Sequence, residues 1–325
     1  TRRSSSAASD VYKRQLLYDC CDEFIMVEWL LQAENTQHGS NLALFLAIKA
    51  AFLHAIFGAL QKGKFNPWLM RAAIDLSYGL MALPFALFIV PWPEYYMWPI
   101  FLGAFIIHTA YKFMQAMAYS RGAFTVVYPI VRGIGPLLTV IVAYFVFSES
   151  FNYTQWLGVV ILLFGILGLA IYNLRFLSKG RETLATALIF ACITGVLVAL
   201  YTTYDAYGIR ATANPFTFLA WFFLIDGIAM PLIACWKSKE AVRYSELKSL
   251  IPRGIIGGLI AFFSFGSIML ATRLDKVGEA AVLRETSIVF AAIIGWLFLK
   301  ETVGPRRITL ILLIVIGAVI VEWGA

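Results

Sequence analysis

Ionisable side chains inside otherwise apolar stretches are the residues of this sequence best suited to chemistry. Arg132 lies in "VVYPIVRGIGPLLTV" (126–140) and Arg284 in "EAAVLRETSIVF" (279–290). A charge inside a bilayer costs at least a few kcal/mol, so each arginine needs a partner or a water-filled cavity. Two guanidinium groups could bind a carboxylate, phosphate or phosphonate, because each offers two parallel N–H donors.

Two polar stripes accompany the arginines. His108, Lys112, Gln115 and Tyr119 recur at spacings of four, three and four, and a second stripe includes Thr194, Tyr201, Asp205 and Gly208. Such spacing places each set on one helix face. The stripes line a water-filled interior or, alternatively, form structural hydrogen bonds between helices. We predict that a substrate is bound by Arg132, Arg284, Glu285, Tyr128, Lys112, His108, Tyr201, Asp205 and His54, and we assign Lys49 and Asp226 to structural roles near helix ends.

The two arginines are expected at similar depth. Arg132 follows Ala123 by nine residues, which at about 1.5 Å per residue is about 14 Å into a hydrocarbon core of about 30 Å. Arg284 occupies the equivalent place in the second half. Because the two cations would repel, an anionic substrate or an acidic side chain should stand between them. Glu285 and Asp205 are the candidate structural partners.

The stretch around Arg132 is rich in helix breakers. Pro129 and Pro136 remove backbone donors, and Gly133 and Gly135 leave the backbone flexible. We predict a discontinuous helix here, whose exposed backbone groups face a substrate. The alternative is a packing kink satisfied by neighbouring helices.

Composition places these residues in a membrane. Hydrophobic residues make up 61% of the 325 residues and charged residues only 14%, about half the charged share of a soluble domain. The net charge of +7 comes mainly from cations between apolar segments and not from a basic run with stacking aromatics, so no nucleic-acid partner is expected. Three histidines and four cysteines, of which Cys20 and Cys21 are adjacent, show no metal-ligand spacing, and we expect neither metal nor cofactor.

The apolar runs are long enough to cross a bilayer, at about 20 residues each. They predict an all-α integral membrane protein with ten transmembrane helices. The predicted spans are 41–61, 69–91, 97–118, 123–147, 156–174, 184–207, 214–236, 254–272, 278–299 and 307–323.

The chain divides into a tail and two similar halves. Residues 1–40 are polar and serine-rich at their start, and we interpret them as a non-native or disordered extension. At an offset of 152, Arg121 aligns with Arg273, Arg132 with Arg284, and Glu149 with Glu301. We therefore predict five-helix repeats over 41–174 and 184–323.

Five spans per repeat make the second half enter the membrane from the opposite side, which is an inverted repeat. Fifteen lysines and arginines follow the odd-numbered predicted helices, and three follow the even-numbered ones. Since cytoplasmic loops carry the excess of cations, we expect the odd loops in the cytoplasm and both termini outside.

The phrases "FLHAIFGALQK", "VVYPIVRGIGPLL", "ALYTTYDAYGIR" and "EAAVLRETSIVFAAIIGWLFLKE" resemble the EamA family of the drug/metabolite transporter superfamily over about 41–323. The resemblance implies secondary transport of a small solute through a central cavity between the halves. Better-studied relatives commonly keep both termini in the cytoplasm, which is the reverse of the orientation that the loop charges predict.

These observations predict a secondary transporter of a small polar, anionic or zwitterionic metabolite across the inner or plasma membrane. The alternative is a channel or a scramblase-like protein. No HExxH, GxGD, G-x-S-x-G or GxxxxGK[ST] motif is present, so an enzyme is not expected. Proton coupling and exchange both remain open, as does a homodimer. The expected partners are the metabolite and the lipid bilayer.

Overall fold

The computed structural model describes residues 27–61, 66–122, 124–175, 183–237, 244–299 and 304–324. Within these ranges the regular structure is helical, and strands are absent. A short helix, α1 (27–33), precedes the long ones. The others are α2 (Gln37–Gln61), α3 (Pro67–Pro84, followed by a π-helical turn, Phe85–Ile89), α4 (Met97–Arg121), α5 (Phe124–Phe147), α6 (Tyr153–Arg175), α7 (Leu184–Ala211), α8 (Pro215–Lys237), α9 (Tyr244–Leu274), α10 (Val277–Arg284), α11 (Ser287–Leu299) and α12 (Pro305–Trp323).

Helix length and hydropathy confirm the membrane class. In the described ranges, nine helical segments are long and apolar enough to cross a bilayer, with α10 and α11 together forming one of them. The tenth predicted span is present as α12, which is 19 residues long. Because it carries three charged residues, Arg306, Arg307 and Glu322, it is not counted among the nine apolar segments.

Local sequence explains individual helix starts. Asn66 precedes α3, and its side chain accepts a hydrogen bond from the Trp68 amide at 2.9 Å. Pro67 occupies the first helical position, where no amide donor is needed. α9 begins at Tyr244, ten residues before the predicted start at Gly254, because the charged stretch before the apolar run is helical too.

The residues just before α2 pack against the bundle. Leu30 and Ala33 of α1 are buried in a cluster with α2, α9 and α10. Glu34 forms an ion pair with Arg273 of α9. Residues 1–26, the larger part of the predicted extension, lie outside the described residues.

The two halves pack through equivalent helices. The first helix of each half packs against the third spanning helix of the other half: α2 on α9, and α7 on α4. The second helices, α3 and α8, pack against each other, and so do the last ones, α6 and α12. Glycines allow the closest approaches: a Cβ added to Gly79 would lie 3.2 Å from the Cα of Gly227, and one added to Gly158 would lie 2.7 Å from the carbonyl oxygen of Gly317. The chain is an all-α membrane protein whose two inverted halves join face to face along these crossings.

Candidate functional site

The helix break lies in the second half and not in the first. α10 ends at Arg284 and α11 begins at Ser287, so Glu285 and Thr286 interrupt the ninth predicted span. Around the interruption, backbone amides bond three residues back, from Glu285 to Val282 and from Thr286 to Leu283. A break at this position leaves backbone groups and two ionisable side chains inside the membrane, where lone polar groups are costly.

The break predicted at Pro129, Gly133, Gly135 and Pro136 is not observed, since α5 is helical from Phe124 to Phe147. The glycines serve close packing instead. A Cβ added to Gly135 would lie 2.8 Å from Val198 of α7, and one added to Gly133 would lie 3.3 Å from Leu167 of α6. Prolines can be accommodated in a membrane helix when neighbouring groups stabilise the freed carbonyls. The packing alternative therefore describes α5 better.

Arg132 reaches from α5 across to the break. Its Nη1 donates to Glu285 Oε1 at 2.9 Å, and its Nη2 donates to Ser287 Oγ at 3.1 Å. Its guanidinium also lies over the Tyr128 ring, 5.3 Å from the centroid. Both Arg132 and Glu285 are buried. Arg132 thus binds the residues on either side of Thr286 and holds the two helix ends together.

Arg284 lies near the same carboxylate oxygen as Arg132. Its Nε lies 3.9 Å from Glu285 Oε1, beyond hydrogen-bond distance. Its side chain is 3% exposed, yet Nε and Nη2 have no hydrogen-bond partner among the described residues, and neither does Glu285 Oε2. Buried polar atoms are nearly always bonded, so these three atoms are the strongest local indication of a ligand-binding position. The two arginines share an acidic side chain, as the structural alternative expected.

His108 and Asp205 form a second buried pair. His108 Nε2 lies 2.8 Å from Asp205 Oδ2, joining α4 to α7. The Tyr201 ring packs on the imidazole at 4.6 Å between centroids, and Phe222 packs edge-on at 4.9 Å. Asp205 Oδ1 makes no hydrogen bond to a described residue. The predicted stripes of α4 and α7 therefore face each other.

Lys112 is the centre of a third cluster. Its Nζ lies 2.7 Å from Asp75 Oδ2, 2.7 Å from Asp226 Oδ2 and 2.8 Å from the Tyr78 hydroxyl. Tyr78 donates to Asp226 at 2.6 Å. The ammonium group is thus held between one carboxylate from each half of the chain.

Sequence reasoning missed part of this cluster. Arg71 is one of the fifteen cations that the sequence assigns to the loops after odd-numbered spans, but it is buried in α3 with its Nε 2.8 Å from Asp75 Oδ1. Asp226 was placed near a helix end, whereas it lies midway along α8 and is 4% exposed. The spacing of Arg71, Asp75 and Tyr78 by four and three residues was the available signal, since it is the same stripe pattern that identified His108 and Lys112.

His54 stands apart from these hydrogen-bonded groups. It is half-buried, with Phe57 and Phe265 as ring neighbours at 5.7 and 6.0 Å. Eleven Arg, Lys, His, Asp and Glu residues are buried among the described residues, and two of them, Arg273 and Glu279, belong to the helix ends near the 148–152 loop. We call the other nine the interior network: Arg71, Asp75, His108, Lys112, Arg132, Asp205, Asp226, Arg284 and Glu285.

Two apolar cavities lie beside this network. A cavity of about 360 Å³ opens between α2, α11 and α12 and is lined by Leu44, Thr286 and Phe290 among others. A groove of about 280 Å³ follows α3 and α8 near Leu80 and Leu232. Neither contains a predicted substrate residue, but Thr286 of the break lines the first.

Charged side chains tie together the helix ends on the side of the 148–152 loop. Glu149 accepts hydrogen bonds from the Val277 and Gly278 amides at 2.9 and 3.1 Å, which caps α10. Arg210 donates to Glu149 at 3.2 Å and to the Asp275 carbonyl at 2.7 Å. Arg273 donates to the carbonyls of Ile209 and Thr212. These contacts close the bundle at this end.

Comparison with known proteins agrees with this architecture. Residues 41–171 and 185–323 match the profile of the EamA-like transporter family. A crystal structure of another protein superposes with a TM-score of 0.69 at 18% identity, covering 87% of this chain and 99% of that one; at this identity the likeness concerns the fold alone. None of the curated proteins compared with the chain matches it significantly. With a profile match across both halves, the chain belongs to the EamA-like transporter family, a family of multi-pass membrane transporters.

Proposed function

We propose that this chain is a secondary transporter of a small anionic or zwitterionic metabolite across the inner or plasma membrane. The substrate binds between two repeats spanning 41–174 and 184–323, with residues 1–40 outside them. The observation that carries the proposal is Arg284, a buried guanidinium at a helix break, two of whose nitrogen atoms have no hydrogen-bond partner in the described part of the chain. A substrate carboxylate or phosphate is the group that best satisfies such a donor pair.

Arg132 has a different role in this proposal. Two of its nitrogen atoms are already bonded to Glu285 and Ser287, so it fixes the break and orients Glu285. Arg284 then provides the anion contact, and Glu285 Oε2 is an acceptor for a substrate ammonium group if the substrate is zwitterionic. The sequence suggested that both arginines bind the anion. In the present proposal Arg284 binds it and Arg132 positions Glu285.

The remaining predicted residues form the walls of the same site. Tyr201, whose ring packs on the His108 imidazole, is assigned to this wall. Tyr128 covers the Arg132 guanidinium. His54, half-buried beside the rings of Phe57 and Phe265, is assigned to the same wall. Lys112 is fully bonded to acidic partners, so we assign it to holding α3, α4 and α8 together and not to direct substrate contact.

A thermal-shift screen of the purified protein tests the proposal. Small carboxylates, organic phosphates, amino acids and amines would be compared, since a ligand that binds the folded state raises the melting temperature by mass action. We expect stabilisation by members of the anionic or zwitterionic classes and none by simple amines. Arg284→Gln should abolish that stabilisation, while Arg306→Gln, which removes an exposed arginine of α12, should retain it. Stabilisation by amines alone, or equal stabilisation of Arg284→Gln, contradicts the proposal.

A further inference from the structure

Two arginines tie the carboxyl ends of α7 and α9 to each other. Arg273, in the last turn of α9, donates to the Thr212 carbonyl at the end of α7 at 2.6 Å. Arg210, in the last turn of α7, donates in return to the Thr272 carbonyl of α9 at 2.8 Å. The last carbonyls of a helix have no partner within it and carry partial negative charge, so a guanidinium stabilises them. These reciprocal contacts hold α7 and α9 together at the end of the bundle that bears the 148–152 loop.

Arg273 has an equivalent residue in the first half of the chain. At the repeat offset of 152 it aligns with Arg121, the last residue of α4. By the same relationship α4 corresponds to α9, and α2 corresponds to α7. The equivalent of the end of α7 is therefore the last turn of α2. Because the halves are inverted, this turn and Arg121 lie at the opposite end of the bundle.

The opposite end does not show the same contact. Arg121 donates within its own helix, to the Met117 carbonyl and to Ser120 Oγ, each at 3.3 Å, and its guanidinium lies 5.2 Å from the ring centroid of Phe190 on α7. Among the described residues it has no hydrogen bond to α2. In that part of the chain α7 packs on α9, whereas α2 and α4 make no comparable contact. The two equivalent arginines are therefore in different states, one bound to its partner helix and one not.

The sequence gives the two ends unequal strength. At the same offset Arg210 aligns with Gly58 of α2, so the opposite end has no counterpart for the second, reciprocal arginine. Arg273 is also held by an ion pair with Glu34. Since hydrogen bonds to a charged group are stronger than neutral ones, the arrangement with α7 bound to α9 is the more stable of the two.

We propose that Arg273 and Arg121 are alternating latches, each binding the last carbonyls of a neighbouring helix to close one end of the interior. When Arg273 releases α7, the α2–α9 pair rocks against the α4–α7 pair, and Arg121 binds the last turn of α2 at the opposite end. The inference rests on the proposed secondary transport, which requires two such conformations. It adds the residues that hold each conformation and the direction in which the equilibrium is biased.

The latches can be tested without a substrate. In the full chain without its natural cysteines, spin labels at Gln37→Cys and Ala213→Cys, both exposed positions, report the distance between the start of α2 and the end of α7. Pulsed electron–electron resonance in liposomes should show one dominant short distance when both latches are intact. Arg273→Gln should raise the ratio of a longer distance to the short one by about tenfold, the effect of losing hydrogen bonds to a charged group.

The second latch is tested by combining variants. Adding Arg121→Gln to Arg273→Gln should restore the short distance, because the competing conformation then loses its own latch. Arg306→Gln, at an exposed site of α12, should change nothing in either background. If Arg273→Gln does not fold, Arg210→Gln replaces it, since this change removes the reciprocal contacts and should lengthen the same distance.

Two results would overturn the proposal. One is an unchanged distance in whichever of Arg273→Gln and Arg210→Gln folds. The other is a longer distance that Arg121→Gln does not reverse, because that would be local loosening at one end. A distance that responds as expected in a protein that accumulates no solute would support the latches and contradict the proposed transport. Accumulation without that response would do the reverse.

Discussion

Arg132 and Glu285 lie 153 positions apart in the chain and meet through a 2.9 Å hydrogen bond between Nη1 and Oε1. The contact joins the continuous α5 of the first half to the break between α10 and α11 in the second half. The same Glu285 oxygen is 3.9 Å from Arg284 Nε. One carboxylate therefore compensates two buried guanidinium groups that would otherwise repel each other.

This arrangement predicts an order of stability. Glu285→Gln leaves two buried cations facing each other, and removing one partner of a buried ion pair typically costs about 3–5 kcal/mol. Arg132→Gln leaves Glu285 beside Arg284 and should cost less. The double variant should be more stable than Glu285→Gln alone, because one of the two repelling charges is gone. Melting temperatures in detergent would measure the series, and a Glu285→Gln protein as stable as the unsubstituted one would contradict this account.

The crossing of α6 and α12 predicts a packing defect. Gly158→Ala would place a Cβ 2.7 Å from the Gly317 carbonyl oxygen and 2.8 Å from Val321, and overpacking of this kind costs about 1–3 kcal/mol. The matched control is Gly58→Ala in α2, where a Cβ meets nothing within 4 Å. We expect Gly158→Ala to melt at a lower temperature than the unsubstituted protein, and Gly58→Ala to melt at the same temperature. Equal melting temperatures would mean that the halves do not meet closely at this crossing.

Loop charge predicts the orientation of the chain. In a background without the natural cysteines, Lys239→Cys lies in the predicted loop between the seventh and eighth spans, and we expect it to resist membrane-impermeant thiol reagents in intact cells. Glu94→Cys, an exposed position between α3 and α4, should be labelled from outside. The opposite labelling pattern would place both termini in the cytoplasm, as in better-studied relatives.

Length and hydropathy predicted the helices well, because a bilayer imposes one dominant requirement on each span. The break was not predictable in the same way. The break occurs at Glu285 and Thr286, where there is neither a proline nor a glycine. It is held by hydrogen bonds from Arg132, which lies on a helix distant in the sequence. Pro129 and Pro136 suggested a break where neighbouring helices maintain a continuous one. Local breaker residues therefore indicate where a helix can open, while long-range contacts decide where it does.

The polar stripes identified His108, Lys112 and Asp205 because their spacing fits one helix face. Asp75 was missed and Asp226 was misplaced, although together they bind Lys112. Their pairing depends on the meeting of α3 and α8 at Gly79 and Gly227, a crossing that no local pattern reveals. The packing of the two halves determines which residues pair with a buried charge, and the repeat offset alone does not specify that packing.

Accumulation of a solute in proteoliposomes tests the central claim most directly. The vesicles would contain the purified protein, the substrate would be the anion or zwitterion that most stabilises it, and an imposed proton gradient or counter-substrate would supply the driving force. We predict accumulation above the external concentration, loss of that accumulation in Arg284→Gln, and retention in Arg306→Gln. Equilibration without accumulation under every driving force would indicate a channel, and unchanged transport by Arg284→Gln would contradict the site proposed at the helix break.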